Sequence, residues 1–148
     1  MVWQHHRLRF PRPLYYTESV ASYLGSKVVK VLTGQRRVGK SYILRQTAMH
    51  LVQQGVSSNN IVFINRELTA FDFIENYKDL DNFIRLYREE LKPEGRIYIF
   101  IDEVQDTDGW ERVVNGCRMS WTGRMFLSRA FRKPLSWWHR RESGWRHA

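Results

Sequence analysis

The sequence predicts an α/β fold, a mainly parallel sheet flanked by helices, on three observations. Short apolar runs of strand length alternate with stretches of helical periodicity. One run opens directly into a glycine loop and then a helix, and another ends on two adjacent acids. Parallel neighbours need crossover helices, so strands that alternate with helices point to this class. Ligands in such sheets bind beyond the carboxyl ends of the strands, where both the loop and the acid pair fall.

The elements follow in order. Residues 1–13 read as an N-terminal arm, and 14–117 as the body of the domain. Within the body, L-Y-Y-T-E-S-V-A-S-Y-L (14–24) spaces its apolar groups at helical intervals and stops at Gly25, which predicts a short helix. The β-branched run from Val28 to Thr33 is a strand that ends at Gly34. From Lys40 to about Gln54 the period becomes helical, up to Gly55. N-I-V-F-I-N (60–65) is too short for a helix and reads as a buried strand. Asp79 or Asp81 is the expected cap of a helix that carries Leu80, Phe83, Ile84, Tyr87 and Leu91 on one face and ends before Pro93. A third strand, Arg96 to Val104, carries Asp102 and Glu103 at its C-terminal end, and Trp110 then packs the next helix onto the sheet.

Composition narrows the class. A chain of 148 residues with 43% hydrophobic content has room for one domain with a real core. No run approaches the roughly 20 apolar residues of a membrane span, and the basic N-terminus has no apolar signal core behind it. Neither a membrane location nor secretion is expected. Cys117 is the single cysteine, without partners at metal-ligand spacing, and a reducing, cytoplasmic setting fits it. His5 and His6 lack a third ligand. The formal net charge is +9, but the segment from Arg118 onward has eight Lys or Arg against Glu142 alone, +7, which leaves +2 for everything before it. Nucleic acid is therefore a partner that the tail permits and the body does not support.

Two motifs carry chemistry. Gly34, Gln35, Arg36, Arg37, Val38, Gly39, Lys40 and Ser41 spell G-Q-R-R-V-G-K-S, the P-loop pattern at every fixed position. Its glycines permit backbone angles that let the N–H groups from Gln35 to Ser41 turn inward around phosphate oxygens. The helix that starts near Lys40 adds its positive dipole end. Lys40 can reach the β- and γ-phosphates, and the Ser41 hydroxyl can ligate magnesium. The side chains of Arg36 and Arg37 read as solvent-exposed, although contact with nucleotide stays open. I-Y-I-F-I-D-E (97–103) has the form of a Walker B strand, with Asp102 directed to magnesium and Glu103 to the attacking water. An acid pair downstream of a P-loop points to ATP hydrolysis, with Lys40 and Glu103 in the catalytic roles.

From these motifs the chain resembles the AAA-type P-loop ATPases of bacteria and archaea, whose ATPase domain usually precedes a C-terminal domain of unknown function. The likeness runs over roughly residues 12–116, through V-L-T-G-Q-R-R-V-G-K-S, N-I-V-F-I-N-R-E, Y-K-D-L-D-N-F-I and I-Y-I-F-I-D-E-V-Q-D-T-D-G-W-E-R-V-V-N. It implies ATP and magnesium as cofactors, Lys40 and Ser41 as phosphate and metal residues, Asp102 and Glu103 as metal and water-activating acids, and a place for Gln105 near the same site. It also implies a cytoplasmic address and permits a homo-oligomer in the intact family. After Asn115 the likeness stops. Family members continue with a strand of the form D-V-F-I-T-G, which senses the γ-phosphate and lies between the Walker A and Walker B strands.

Residues 118–148 instead form a basic tail that holds four of the six tryptophans. Reread from the third base of each codon, Arg124 to Arg129 can encode Asp-Val-Phe-Ile-Thr-Gly, so a frameshift near 116–123 and a truncated domain are the expectation. An authentic tail that binds nucleic acid or an acidic membrane surface is the alternative. Met125 to Ser128 could fill the gap in the sheet as a short substitute. Without it, marginal stability and weak nucleotide binding are expected, and a nucleotide-binding module without turnover is the other reading of the body.

Overall fold

The computed structural model describes residues 28–120 and 123–130, with positions 20, 23, 24 and 26. The predicted arm, most of the helix over 14–24, the tail beyond residue 130 and the Cys117 side chain lie outside the described residues.

Among the described residues four strands and three longer helices alternate: β1 (Lys30–Gly34), α1 (Lys40–Gln53), β2 (Ile61–Asn65), α2 (Tyr77–Leu91), β3 (Tyr98–Asp102), α3 (Trp110–Ser120) and β4 (Arg124–Ala130). The strands form one sheet in the order β1-β4-β3-β2, and every pairing is parallel. This is the α/β architecture that the alternation of periods predicts.

Helices cover both faces, so the central strands carry apolar side chains on both. Ile99, Ile101, Met125 and Leu127 face one core together with Val62 and Ile64, and α2 and α3 close it with Leu80, Ile84 and Val113. Phe100 and Phe126 face the other core, closed by Leu44 and Leu51 of α1. The period of 2 in each strand makes this division. Phe126 stacks on Phe100 with ring centroids 4.8 Å apart and planes 13° from parallel, a geometry that aromatic pairs favour. Trp110 is half-buried against the first core, the packing role expected of it.

The cap of α2 differs from expectation. Asn76 is the N-cap: its side chain accepts from the N–H groups of Lys78 and Asp79, and the Asp79 carboxylate accepts from the Asn76 N–H, which completes a capping box. Asp79 thus serves at the third helical position and Asp81 takes no part in the cap. Leu80 and Ile84 are buried as predicted, Phe83 and Tyr87 pack at the edge of the core, and Leu91 in the last turn is exposed.

The gap after Asn115 is filled. β4 contains Met125 to Ser128 and extends past it at both ends, in register with β1 from Lys30↔Phe126 to Gly34↔Ala130 and with β3 from Tyr98↔Arg124 to Ile101↔Leu127. Any strand with apolar side chains at alternate positions on both faces suits a slot between two covered strands, and R-M-F-L-S-R-A meets that requirement without the expected letters.

Candidate functional site

β1 brings Gly34 to the C-terminal edge of the sheet. The chain then loops through Gln35 to Gly39, all exposed, and enters α1. Gly39 has φ +90°, in the left-handed region that favours glycine, and as the N-cap it offers no side chain to the first N–H groups of α1. That helix end is open to an anion. At Gly34 an added Cβ would stand 3.2 Å from Val38 Cγ2, a tight contact that the Val38 side chain would have to yield to. Lys40 is buried, and its Nζ donates to the Gln35 carbonyl at 2.8 Å and to that of Gly34 at 3.5 Å. Arg36 and Arg37 are exposed, and Ser41 is half-buried in the first turn of α1.

Two strands away, Asp102 ends β3 opposite Asn65 of β2. It is 1% exposed, and its Oδ2 has no protein partner. The Ser128 hydroxyl of β4 donates to Asp102 Oδ1 and accepts from the Glu103 N–H at 3.0 Å. Glu103 leaves the strand with φ +55° and ψ 50°, a left-handed conformation that costs a non-glycine residue free energy and turns its chain out of the ladder. Its Oε1 lies 4.0 Å from Lys40 Nζ, and its Oε2 accepts from Gln105 Nε2 at 2.5 Å. Gln105 Oε1 in turn accepts from the Ala130 N–H at 3.2 Å. Because Ala130 pairs with Gly34, the chain of contacts runs from the start of the loop across β4 to the acids and back to Lys40.

The structure thus brings Lys40, Glu103 and Gln105 together. Ser41 lies in the first turn of α1, a helix that packs over β4 and β3 through Leu44 and Leu51, and Asp102 lies at the end of β3. Two contributors escape the sequence reading. Ser128 is visible only as a polar residue closing the apolar run M-F-L, and its role depends on β4 lying beside Asp102. Arg66 donates its N–H to the Asp102 carbonyl at 3.2 Å, and its guanidinium donates to the carbonyls of Phe71 and Asp106, bracing the turns after β2 and β3.

A glycine loop at the end of β1, an acid at the end of β3 and a strand between them characterise one type of nucleotide-binding domain. Residues 26–135 match the family described as AAA domain. The chain belongs to this family. Nucleotide binding is what membership in the AAA family carries at that level. The match runs beyond Asn115 and includes β4, so the likeness extends further along the chain than the residues alone indicate. An uncharacterized protein of Haemophilus influenzae is 35% identical over 106 residues, which are 71% of this chain and 26% of that protein. The chain therefore spans about a quarter of that relative's length. No solved structure matches it.

Other features of this AAA domain lie away from the loop. A groove of about 580 Å³ opens at the opposite ends of β2 and β3, between Asn60, Leu91, Lys92, Glu94, Arg96 and Tyr98. Burial, and secondarily the Arg124 charge, lowers the pKa of Lys30, whose ammonium lies 5.2 Å from the Phe126 ring centroid. Among the described residues no helix is long and apolar enough to cross a membrane.

Proposed function

We propose that this AAA domain binds ATP with magnesium at Gly34–Ser41 and hydrolyses it, with Glu103 as the residue that orients and polarises the attacking water. The observation that carries the reading is the buried meeting of Lys40 and Glu103 beneath the open N-terminus of α1. Buried charges are costly, and a lysine and a glutamate kept in place without a closed bridge suit a site where a ligand supplies the remaining partners.

In this reading the N–H groups of the loop and of the first turn of α1 receive the phosphates, and Lys40 exchanges its loop carbonyls for β- and γ-phosphate oxygens. The donor set suits magnesium: Ser41 provides a hydroxyl, and Asp102 a carboxylate whose buried Oδ2 has no protein partner. Among the described residues no three His, Cys, Asp or Glu side chains cluster into a metal site, so an ion here depends on the phosphates for further oxygens. Held by Ser41 and Asp102, magnesium would supply charge neutralisation to the phosphates. Asp102 is fixed by Ser128, and Glu103 accepts a proton from the water that attacks the terminal phosphate.

The test compares the purified chain with Glu103→Gln and Lys40→Ala. Glu103→Gln is expected to keep binding a fluorescent ATP analogue while turnover falls about 100-fold or more, the scale of a lost general base. Lys40→Ala is expected to lose both. Equal phosphate release from all three proteins overturns the enzymatic reading.

A further inference from the structure

Lys40 and Glu103 are of opposite charge, with side chains only 6% and 7% exposed, yet they stand 4.0 Å apart. A closed ammonium–carboxylate bond runs at about 2.8 Å, and in a poorly solvated setting closure is strongly favoured. Two competing hydrogen bonds hold the pair open. Lys40 Nζ is drawn to the Gln35 carbonyl at 2.8 Å, and Glu103 Oε2 to Gln105 Nε2 at 2.5 Å.

The second of these has a firm anchor. A side-chain amide has a donating and an accepting end, and both ends of Gln105 are used. Its Oε1 accepts from the N–H of Ala130, which the ladder with β1 holds opposite Gly34. The donating end therefore points at Glu103, and its position is set by the sheet. Glu103 itself hangs from a left-handed backbone whose N–H is fixed on Ser128, so its side-chain torsions decide where the carboxylate lies.

We infer that Gln105 is a positioning residue that restrains the Glu103 carboxylate from closing on Lys40 and so keeps the ammonium available to a nucleotide's phosphates. This rests on the nucleotide reading above and adds to it a control of the same site. With the amide gone, Glu103 swings onto Lys40, and a phosphate must break a closed, buried ion pair before it can bind. The defect then originates in the Glu103 charge, and neutralising that charge removes it.

The experiment is a titration of the full chain with a fluorescent ATP analogue and magnesium, with circular dichroism melting as a check on folding. Four proteins are compared: wild type, Gln105→Met, Glu103→Gln and the double variant. Methionine keeps the length and packing of the side chain and removes both ends of the amide. Gln105→Met is expected to bind about tenfold more weakly than wild type, and the double variant to return to within about twofold of Glu103→Gln, since a hydrogen bond to a charged group is worth about that much. Unchanged binding by Gln105→Met overturns the inference. So does a weakened Gln105→Met that the Glu103 change does not restore, because that outcome marks a loss of structure. A wild-type chain that binds no analogue sinks the nucleotide reading itself, and is told apart from both by the wild-type curve.

Discussion

At the scale of single residues, the site depends on groups that would be liabilities elsewhere. Lys40, Asp102 and Glu103 are buried charges, and Glu103 also carries a left-handed backbone. Ser128 offsets part of that cost by serving an acceptor and a donor at once, the Asp102 carboxylate and the Glu103 N–H. Ser128→Ala removes a fully buried hydroxyl and leaves both groups unsatisfied. The expected loss is about 3 kcal/mol of stability, read from urea denaturation, because an orphaned buried polar group costs about 1–3 kcal/mol. The loop residues were legible in the sequence since a fixed local spacing defines the motif. Ser128 was not, because a serine at the end of an apolar run acquires meaning only beside Asp102.

Among the elements, α2 shows where local signals mislead. Its apolar stripe was readable, and Leu80 and Ile84 lie where the helical period puts them. The start was misplaced by a few residues, since Asp79 and Asp81 are good capping residues by type while Asn76 has the right backbone. Asn76 has φ −137° and ψ 176°, extended and outside the helix, as an N-cap must be. A tertiary contact fixes that choice: the Tyr77 N–H donates to the Asp108 carbonyl at 2.8 Å and the Asp108 N–H to that of Glu75 at 2.9 Å, which ties the helix start to the turn before α3. Asn76→Ala is expected to cost about 1 kcal/mol, and Asp81→Ala to stay within about 0.5 kcal/mol of wild type, both by chemical denaturation.

For the whole molecule, β4 is decisive. It lies between β1 and β3, so the loop and the acids share a frame only through it. Its ladder satisfies the inner backbone groups of both neighbours, and its side chains enter both cores: Met125 and Leu127 on one face, Phe126 on the other. Phe126→Ala opens a cavity beneath Phe100 and Leu44's core at the centre of the sheet. A loss of about 3–5 kcal/mol is expected, the range for a buried phenylalanine, with weaker binding of the ATP analogue in the same preparation. Retained cooperativity and an unchanged midpoint in urea would count against a central role for β4.

The sequence by itself determined the α/β class, the strand–loop–helix that presents Gly34 to Ser41, and the strand that ends on Asp102 and Glu103. Periodicity and motif spacing are local, and these features follow from them. The tertiary structure decided that R-M-F-L-S-R-A takes the central slot, that Ser128 serves the acids, and that Gln105 holds Glu103 4.0 Å from Lys40. The physical reason is that a parallel sheet joins residues distant along the chain, so which side chains meet at its edge depends on strand order and register, and neither is written in any one segment.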